Sequence, residues 1–318
     1  MIPARPSVAV IGGGTIGLGW AVALTIAGHE VRLVEPDAAR RATLREALRQ
    51  RVTMLVEHEL SALTPDEAAS RLMLADSHAA ALDRAVLALE CAPEDLELKR
   101  RLFAELDALA PPDMVIATCS SALTVSAIAD QLPGRARCLV AHPGNPPFLL
   151  RVVEIVPAPF TAEPAVGQAI AILGGAGMIP VRLNREIEGF VFNRLQGAVL
   201  REAYALVHDG VASVEAIDAV MREGLGPRWA ITGPFETADL NVRGGIEAHA
   251  ARMGAAYARM GKERGEVEPW SAELVAAVSA QRRAILPLEA WPERVEWRDR
   301  LLAALQHTRR ALGLGRGR

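Results

Sequence analysis

The sequence predicts an α/β fold: a doubly wound, mostly parallel sheet with helices on both faces, followed by an all-α C-terminal domain. Three observations predict it. Val8 to Trp20, VAVIGGGTIGLGW, is an apolar run, a glycine-rich turn and the start of a helical pattern. Short apolar runs then alternate with helical stretches as far as Glu186, as in parallel strands joined by crossover helices. Beyond Glu186 strand signals stop and helical patterns follow one another. The expected domains are therefore 1–186 and 187–318, and 318 residues suffice for two.

Val8 to Ile11 reads as the first strand. The turn after it holds GxGxxG as Gly12, Gly14 and Gly17. Ile16 to Ala27 reads as a helix stopped by Gly28. Val31 to Val34 is the second strand, and Glu35 ends it. This is the layout of a Rossmann-type dinucleotide site. The first glycine permits the tight turn, the second lets backbone approach a pyrophosphate, and the third lets helix pack on strand. The helix N-terminus offers free N–H groups and a positive dipole end to the phosphates. A carboxylate at the end of the second strand accepts hydrogen bonds from the ribose hydroxyls and repels a 2′-phosphate, so Glu35 favours NAD over NADP. Arg40 and Arg41, close by, are the groups that could offset that charge, unless they are simply solvated.

Further elements follow in order. Asp37 to about Leu60 is helical. Thr64-Pro65-Asp66-Glu67 is a capping box with proline at the first helical position. Leu72 to Leu74 and Ala85 to Glu90 read as strands. Pro93 to Leu109 has helical periodicity, with Leu96, Phe103 and Leu106 on one side. Val115 to Thr118 is a strand running into Cys119-Ser120-Ser121, where one serine is expected to cap a helix. Cys138 to Ala141 is a strand running into His142. Val152 to Val156 is a strand, Ala165 to Leu173 a helix, and Met178 to Leu183 the last strand. Ile187 to His208 is a long helix, apolar on more than one face and stopped by Gly210. Such a helix is expected to be buried, inside its domain or against a partner subunit. Ser213 caps the next helix, and helical stretches follow over Gly245–Met260, Ser271–Ile285 and Pro292–Leu312.

Composition narrows the function. The formal net charge is −3, with acids and bases interspersed, which gives no footprint for nucleic acid or an anionic membrane. The three cysteines, Cys91, Cys119 and Cys138, lack metal-ligand spacing and read as reduced, buried thiols of a cytoplasmic protein, with no metal site. Pro6 to Gly28 carries no charge, but six glycines and the acid-ended strand that follows argue against a membrane span.

The chemistry is expected at the carboxyl ends of the strands. Ser121 and His142 both follow predicted strands directly. Serine can hydrogen-bond a substrate oxygen, and histidine exchanges protons near neutral pH. Glu154 lies in the next strand within an apolar run; a buried carboxylate needs a partner, and an imidazole N–H serves. Asn193 sits among apolar residues of the long helix and needs one too. Each has a structural alternative: a hydrogen-bonded histidine, a capping serine, an asparagine bridging helices. Together with a nucleotide site they suit hydride transfer with general-base catalysis.

Several stretches carry a family resemblance: LECAPEDLELK from Leu89, AHPGNPPFLLRVVEIVP from Ala141, GFVFNRLQGAVLREA from Gly189, GLGPRWAITGPFETADLN from Gly224, and Glu296-Trp297-Arg298-Asp299. They resemble the 3-hydroxyacyl-CoA dehydrogenase superfamily, and within it the lambda-crystallin / L-gulonate 3-dehydrogenase branch. The resemblance spans essentially the whole chain. It implies an NAD-dependent dehydrogenase acting on the 3-hydroxyl of a small, L-gulonate-like hydroxy acid, and a homodimer formed through the helical domain. By motif position it implies Ser121, His142 and Asn193 as catalytic residues, with Glu154 pairing His142 as the general base. It implies Gly12, Gly14, Thr15, Ile16, Gly17, Glu35, Glu94 and Lys99 as NAD-binding. Ser121, Asn193 and Arg228 are the implied substrate contacts, Arg228 for the carboxylate.

Two positions depart from the branch. Arg151 stands where it has proline, and is either a pocket residue or a surface charge. Gly144 replaces a larger residue and is expected to widen the site. Other readings remain. A 3-hydroxyacyl-CoA substrate wants lysines near Asp37–Leu60, which holds arginines instead. Carnitine wants an aromatic box, for which Trp229 and Phe235 are candidates. A crystallin-like or NAD-sensing protein without turnover is opposed by the intact set Ser121, His142, Glu154 and Asn193.

Overall fold

The structure is a computed structural model describing residues 5–230, 232–242, 245–263, 284 and 287–312. Its apolar runs form β1 (Arg5–Ile11), β2 (His29–Val34), β3 (Leu72–Leu74), β4 (Ala85–Glu90), β5 (Val115–Thr118), β6 (Cys138–Pro143), β7 (Val152–Pro157) and β8 (Ile179–Arg182). They make one eight-stranded sheet in the order β3-β2-β1-β4-β5-β6-β7-β8. Successive side chains on a strand alternate faces. Val8 and Val10 of β1 therefore join one core, with Trp20, Leu48, Leu89 and Ile155. Ala9 and Ile11 join the other, with Phe103, Leu106, Ile116 and Val140. Helices cover both faces, which is why the strands are apolar without alternation.

β1 to β6 pair in parallel, and β7 runs antiparallel to β6. Strand alternation alone suggests parallel pairing throughout. The segment between β6 and β7 is too short for the dozen or more residues a parallel crossover needs, so it turns back instead. β8 is parallel to β7, connected through a helix. Strand order reverses between β1 and β4, and the carboxyl ends of the strands at such a switch point are where open α/β sheets bind ligands.

The crossover helices are α1 (Thr15–Ile26), α2 (Ala38–Glu57), α3 (Pro65–Ser70), α4 (His78–Leu82), α5 (Leu96–Leu109), α6 (Val125–Ala129) and α7 (Glu163–Gly175). Caps fix their starts. Asp37 accepts from Arg40 N–H, the Thr64–Glu67 capping box is complete, and Asp95 accepts from Leu98 N–H. α4 and α6, five residues each, are too short to show periodicity in sequence; Ser77 and Thr124 cap them. Thr124 therefore takes the capping role expected of Ser120 or Ser121. Ser120 Oγ instead accepts from Leu123 N–H at 2.8 Å, closing the turn ahead of α6.

The chain divides into two compact units, Met1–Arg194 with Arg298–Arg318, and Leu195–Trp297. The second contains α8 from Leu195 onward (α8 is Phe192–His208), α9 (Val214–Val220), a π-helical turn Met221–Leu225, α10 (Gly226–Trp229), α11 (Pro234–Leu240) and α12 (Gly245–Glu263). Ser213 caps α9 as expected. α8 starts at Phe192 rather than Ile187, because Gly189 and Phe190 adopt φ of +72° and +50°. Within the chain α8 is not a buried helix: Ala205 is its buried residue, and Leu195 is 58% exposed. The last helix, α13 (Trp291–Ala311), reaches the first unit, where Ala303 is buried in the core and His307 Nδ1 lies 3.0 Å from the His58 carbonyl. The helical stretch expected at Ser271–Ile285 falls outside the described residues, apart from residue 284.

Candidate active site

The glycine loop leaves β1 and enters α1. Gly12 has φ +106°, and a Cβ there would sit 2.9 Å from the Cys91 carbonyl oxygen. A Cβ on Gly17 would lie 1.8 Å from the Gly12 carbonyl oxygen, so helix and loop can pack only around glycine. A Cβ on Gly14 would meet nothing within 4 Å. That open side lies at the N-terminus of α1, which has no side-chain cap and no acid in its first turn. Open space before uncapped N–H groups fits a pyrophosphate.

Glu35, at the end of β2, is 4% exposed. Its Oε2 accepts from Gly13 N–H at 2.8 Å and its Oε1 from Asp37 N–H at 2.8 Å. Arg40 Nη1 lies 3.2 Å from Oε2. Burial alone would raise this carboxyl's pKa, but the two amides and Arg40 outweigh it and hold the group below the usual carboxylate range. Glu35 thus stays ionised and ties the glycine loop to the second strand. Arg41 turns away, to Leu74, Ala75 and Asp76.

At the next two strand ends lies a polar network that the motifs only partly disclose. Glu90, last in β4, is fully buried. Its Oε1 accepts from Ala92 N–H at 2.7 Å, and its Oε2 accepts from Thr118 Oγ1 at 2.7 Å. Lys99, on α5 and 1% exposed, donates from Nζ to both oxygens, at 2.9 and 3.0 Å, and to the Ala92 carbonyl at 3.1 Å. These acceptors match its three N–H groups. Glu94 Oε2 is 3.6 Å from the same ammonium. Glu94 Oε1 accepts from Ser120 Oγ, from Ser121 N–H at 3.1 Å and from Ala122 N–H at 3.2 Å. Burial would raise the Glu94 pKa, but the Ser120 hydroxyl, Lys99 and the two amides bring it below the usual value. Asn193 Nδ2 donates to the Ser121 carbonyl at 2.7 Å, supplying the partner its sequence context demanded.

β5 and β6 are neighbours, with Thr118 opposite Val140, so Ser121 and His142 leave adjacent strands at the same end. The antiparallel register sets Glu154 opposite His142. His142 Nδ1 and Glu154 Oε2 are 2.8 Å apart, and both side chains are buried. Glu154 Oε1 accepts from Val191 N–H at 2.8 Å and Phe192 N–H at 3.0 Å, at the start of α8. With the carboxylate as acceptor, Nδ1 carries the proton and Nε2 is left as the basic nitrogen. Phe190 and Phe192 wall the imidazole, at ring-centroid distances of 5.5 and 6.0 Å. Sequence reasoning missed these two; the signal was Phe-x-Phe just ahead of Asn193 in GFVFNRL.

Other singled-out residues lie elsewhere. Arg228 belongs to the helical unit, where its Nη2 donates to Asn241 Oδ1 at 2.7 Å. Arg151 lines a separate cavity of about 410 Å³, together with Arg5, Met178 and Arg310, that includes neither Ser121 nor His142. Gly144 does not widen a site: a Cβ there would sit 2.8 Å from Leu150 Cβ, so glycine lets the β6–β7 loop close. The three cysteines are free. Burial, with Cys119 alongside, raises the Cys91 pKa well above its usual value, and burial pushes Cys138 up to about 12, so both remain protonated thiols. Among the described residues no His, Cys, Asp and Glu group could hold a metal ion, and no helix is long and apolar enough to cross a membrane.

A glycine loop with an acid-ended second strand and a buried His–Glu pair lie at the same end of one sheet, as suits an NAD-dependent dehydrogenase acting on a CH–OH group. Residues 7–187 match the 3-hydroxyacyl-CoA dehydrogenase NAD-binding domain, and residues 189–285 match that family's C-terminal domain. The chain belongs to the 3-hydroxyacyl-CoA dehydrogenase family. It is 38% identical over 312 residues to a lambda-crystallin homolog of Bos taurus, covering 96% of each chain. It is also 38% identical over 244 residues to an L-carnitine dehydrogenase of Streptomyces coelicolor, covering 76% of this chain and 75% of the relative. Among solved structures, 5-formyl-3-hydroxy-2-methylpyridine 4-carboxylic acid 5-dehydrogenase, an NAD+-dependent dismutase, matches at TM-score 0.83 and 24% identity, over 97% of this chain and 99% of that one. At that identity it supports the fold alone.

Two outcomes follow for the cofactor loop. Gly17→Ala drives a Cβ into backbone and is expected to cost about 1–3 kcal/mol of stability and to weaken NAD binding; thermal melting and NAD titration check this, and wild-type affinity would contradict it. Because the folded Glu35 pKa is depressed, its stabilising contribution is fully present above the ordinary value of 4.5 and is lost as pH falls through the lower folded value. The stability deficit of Glu35→Gln is therefore expected to stay constant from about pH 8 to about pH 5 and to shrink below that; urea unfolding across pH measures it.

Proposed function

We propose that the protein oxidises the 3-hydroxyl of a small, L-gulonate-like hydroxy acid to the 3-keto acid with NAD, and catalyses the reverse reduction. The observation that carries this reading is the buried His142–Glu154 pair at 2.8 Å, at the same end of the sheet as the glycine loop and Ser121. His142 Nε2 takes the hydroxyl proton in oxidation and returns it in reduction. Glu154 holds the ring tautomer and stabilises the imidazolium as it forms. Ser121 Oγ donates to the substrate oxygen. Asn193, bonded to the Ser121 carbonyl, orients that serine. NAD bound at this end of the sheet would supply the hydride acceptor for C3. Gly12, Gly14, Thr15, Ile16 and Gly17 would hold its pyrophosphate, Glu35 its adenosine ribose and Glu94 its nicotinamide end, with Lys99 beneath as the support of Glu94.

A free acid is favoured over an acyl-CoA because the basic side chains of α2 are engaged locally. Arg40 meets Glu35, Arg45 the Ala69 carbonyl, Arg49 Asp66, and Arg51 the Ala47 carbonyl. The domain 187–318 is assigned to substrate and dimer contacts, with Arg228 as the group for the substrate carboxylate. A homodimer through this helical domain is supported by its uncovered apolar side chains, among them Leu195 at 58%, Leu240 at 71% and Phe235 at 82% exposure. The free, protonated thiols suit a cytoplasmic setting.

His142→Ala is expected to lower turnover by about 10²–10⁴-fold while NAD affinity holds. The assay presents free 3-hydroxy acids, 3-hydroxyacyl-CoA esters and carnitine with NAD and follows the nicotinamide absorbance. Turnover of free acids above the others supports the reading; a preference for CoA esters or carnitine contradicts it, as does an active His142→Ala. Sedimentation equilibrium is expected to give twice the monomer mass, and Leu195→Glu to shift it toward monomer; a wild-type monomer would contradict the dimer.

A further inference from the structure

Glu90 is absent from every role assigned above, yet it is the most enclosed charged group of the nucleotide unit, at 0% exposure. A carboxylate sealed in this way is stable only with its lone pairs filled. Four hydrogen bonds from three donor groups fill them: Ala92 N–H, Thr118 Oγ1, and Lys99 Nζ on both oxygens. Those donors belong to three elements. Ala92 starts the loop after β4, Thr118 ends β5, and Lys99 stands on α5.

Each donor passes the constraint on. Thr118 Oγ1 accepts from Ser120 N–H at 3.2 Å, fixing the loop after β5. Lys99 holds the Ala92 carbonyl at 3.1 Å and approaches Glu94 at 3.6 Å. Glu94 binds the amides of Ser121 and Ala122. The loops after two neighbouring strands are thus cross-tied through a single carboxylate.

The place of these loops says which part of the cofactor they serve. Glu35 marks the adenosine ribose at the end of β2, and the glycine loop marks the pyrophosphate at the end of β1. Strand order continues from β1 to β4 and β5, so a dinucleotide crossing the switch point brings its nicotinamide half over the ends of those strands. We propose that Glu90 is a positioning residue for the nicotinamide half of NAD and for Ser121, holding the loops after β4 and β5 in one geometry through Lys99 and Thr118. The inference rests on the reading of Ser121 as a substrate contact, and its effect on cofactor binding is separable from that reading.

The test compares NAD with ADP, which carries the adenosine and the diphosphate but no nicotinamide riboside, by calorimetric titration of the full chain. For Glu90→Gln the expected result is an NAD affinity at least about tenfold weaker with ADP affinity within about twofold of wild type. Should the orphaned Lys99 charge unfold that variant, Glu90→Leu/Lys99→Met removes both charges, and the same split is expected. Parallel loss of NAD and ADP binding, or unchanged NAD binding in the folded double variant, overturns the proposal, because a purely structural role does not distinguish the two halves. Amide hydrogen exchange supplies a second readout: Ala92, Ser121 and Ala122 are expected to exchange faster than in wild type, while Gly13 does not. Ser121→Ala with wild-type turnover would remove the role of Ser121 yet leave the NAD–ADP split standing, so the two failures are distinguishable.

Discussion

The bond between His142 and Glu154 depends on the reversal of the chain between β6 and β7. In the resulting antiparallel ladder the two residues stand directly opposite each other, 2.8 Å apart at Nδ1 and Oε2. Directly opposed residues are the close pairs of an antiparallel sheet. Burial in a strand then demands that the carboxylate be satisfied. Val191 and Phe192 N–H do this on the other oxygen, where the start of α8 also presents its positive end. One carboxylate thus holds the imidazole tautomer and accepts the amides at the start of α8. The short β6–β7 loop follows from the same constraint, because Gly144 gives Leu150 the space to fold over it.

The cofactor side obeys a parallel logic of buried acids holding backbone. Glu35 ties Gly13 to β2, and Glu90 ties the β4 and β5 loops to α5 through Lys99. Glu90 and Lys99 are both buried, and breaking such a pair by removing one partner typically costs about 3–5 kcal/mol. The glycines do the complementary task of letting backbone meet backbone, as Gly17 does against the Gly12 carbonyl. Beside these bonded loops, Gly14 faces open space.

Much of this was legible in the sequence. Strands β4 and β5 coincide with the apolar runs Ala85–Glu90 and Val115–Thr118, because strands buried on both faces carry little polar interruption. Glu35, His142 and Glu154 could be picked out because each is a polar group adjoining or within an apolar run. What was hidden has physical causes. The sense of β7 depends on loop length rather than on the strand's own residues. α4 and α6 are single turns, defined by Ser77 and Thr124 caps rather than by periodicity. The true start of α8 depends on positive φ at Phe190, a residue that rarely adopts it. Glu90 looked like the polar end of a strand, and only three-dimensional contact shows Lys99 closing over it. Gly144 looked like added room, and its neighbours show the opposite.

The account stands on Glu154 holding His142 in the tautomer that leaves Nε2 basic. The most direct measurement is single-turnover oxidation of the preferred CH–OH substrate by Glu154→Gln, beside an NAD titration of the same variant. A fall of about 10²–10⁴-fold in rate with unchanged NAD affinity is the predicted result. A wild-type rate would contradict the account, since the histidine would then need no partner to act as the base.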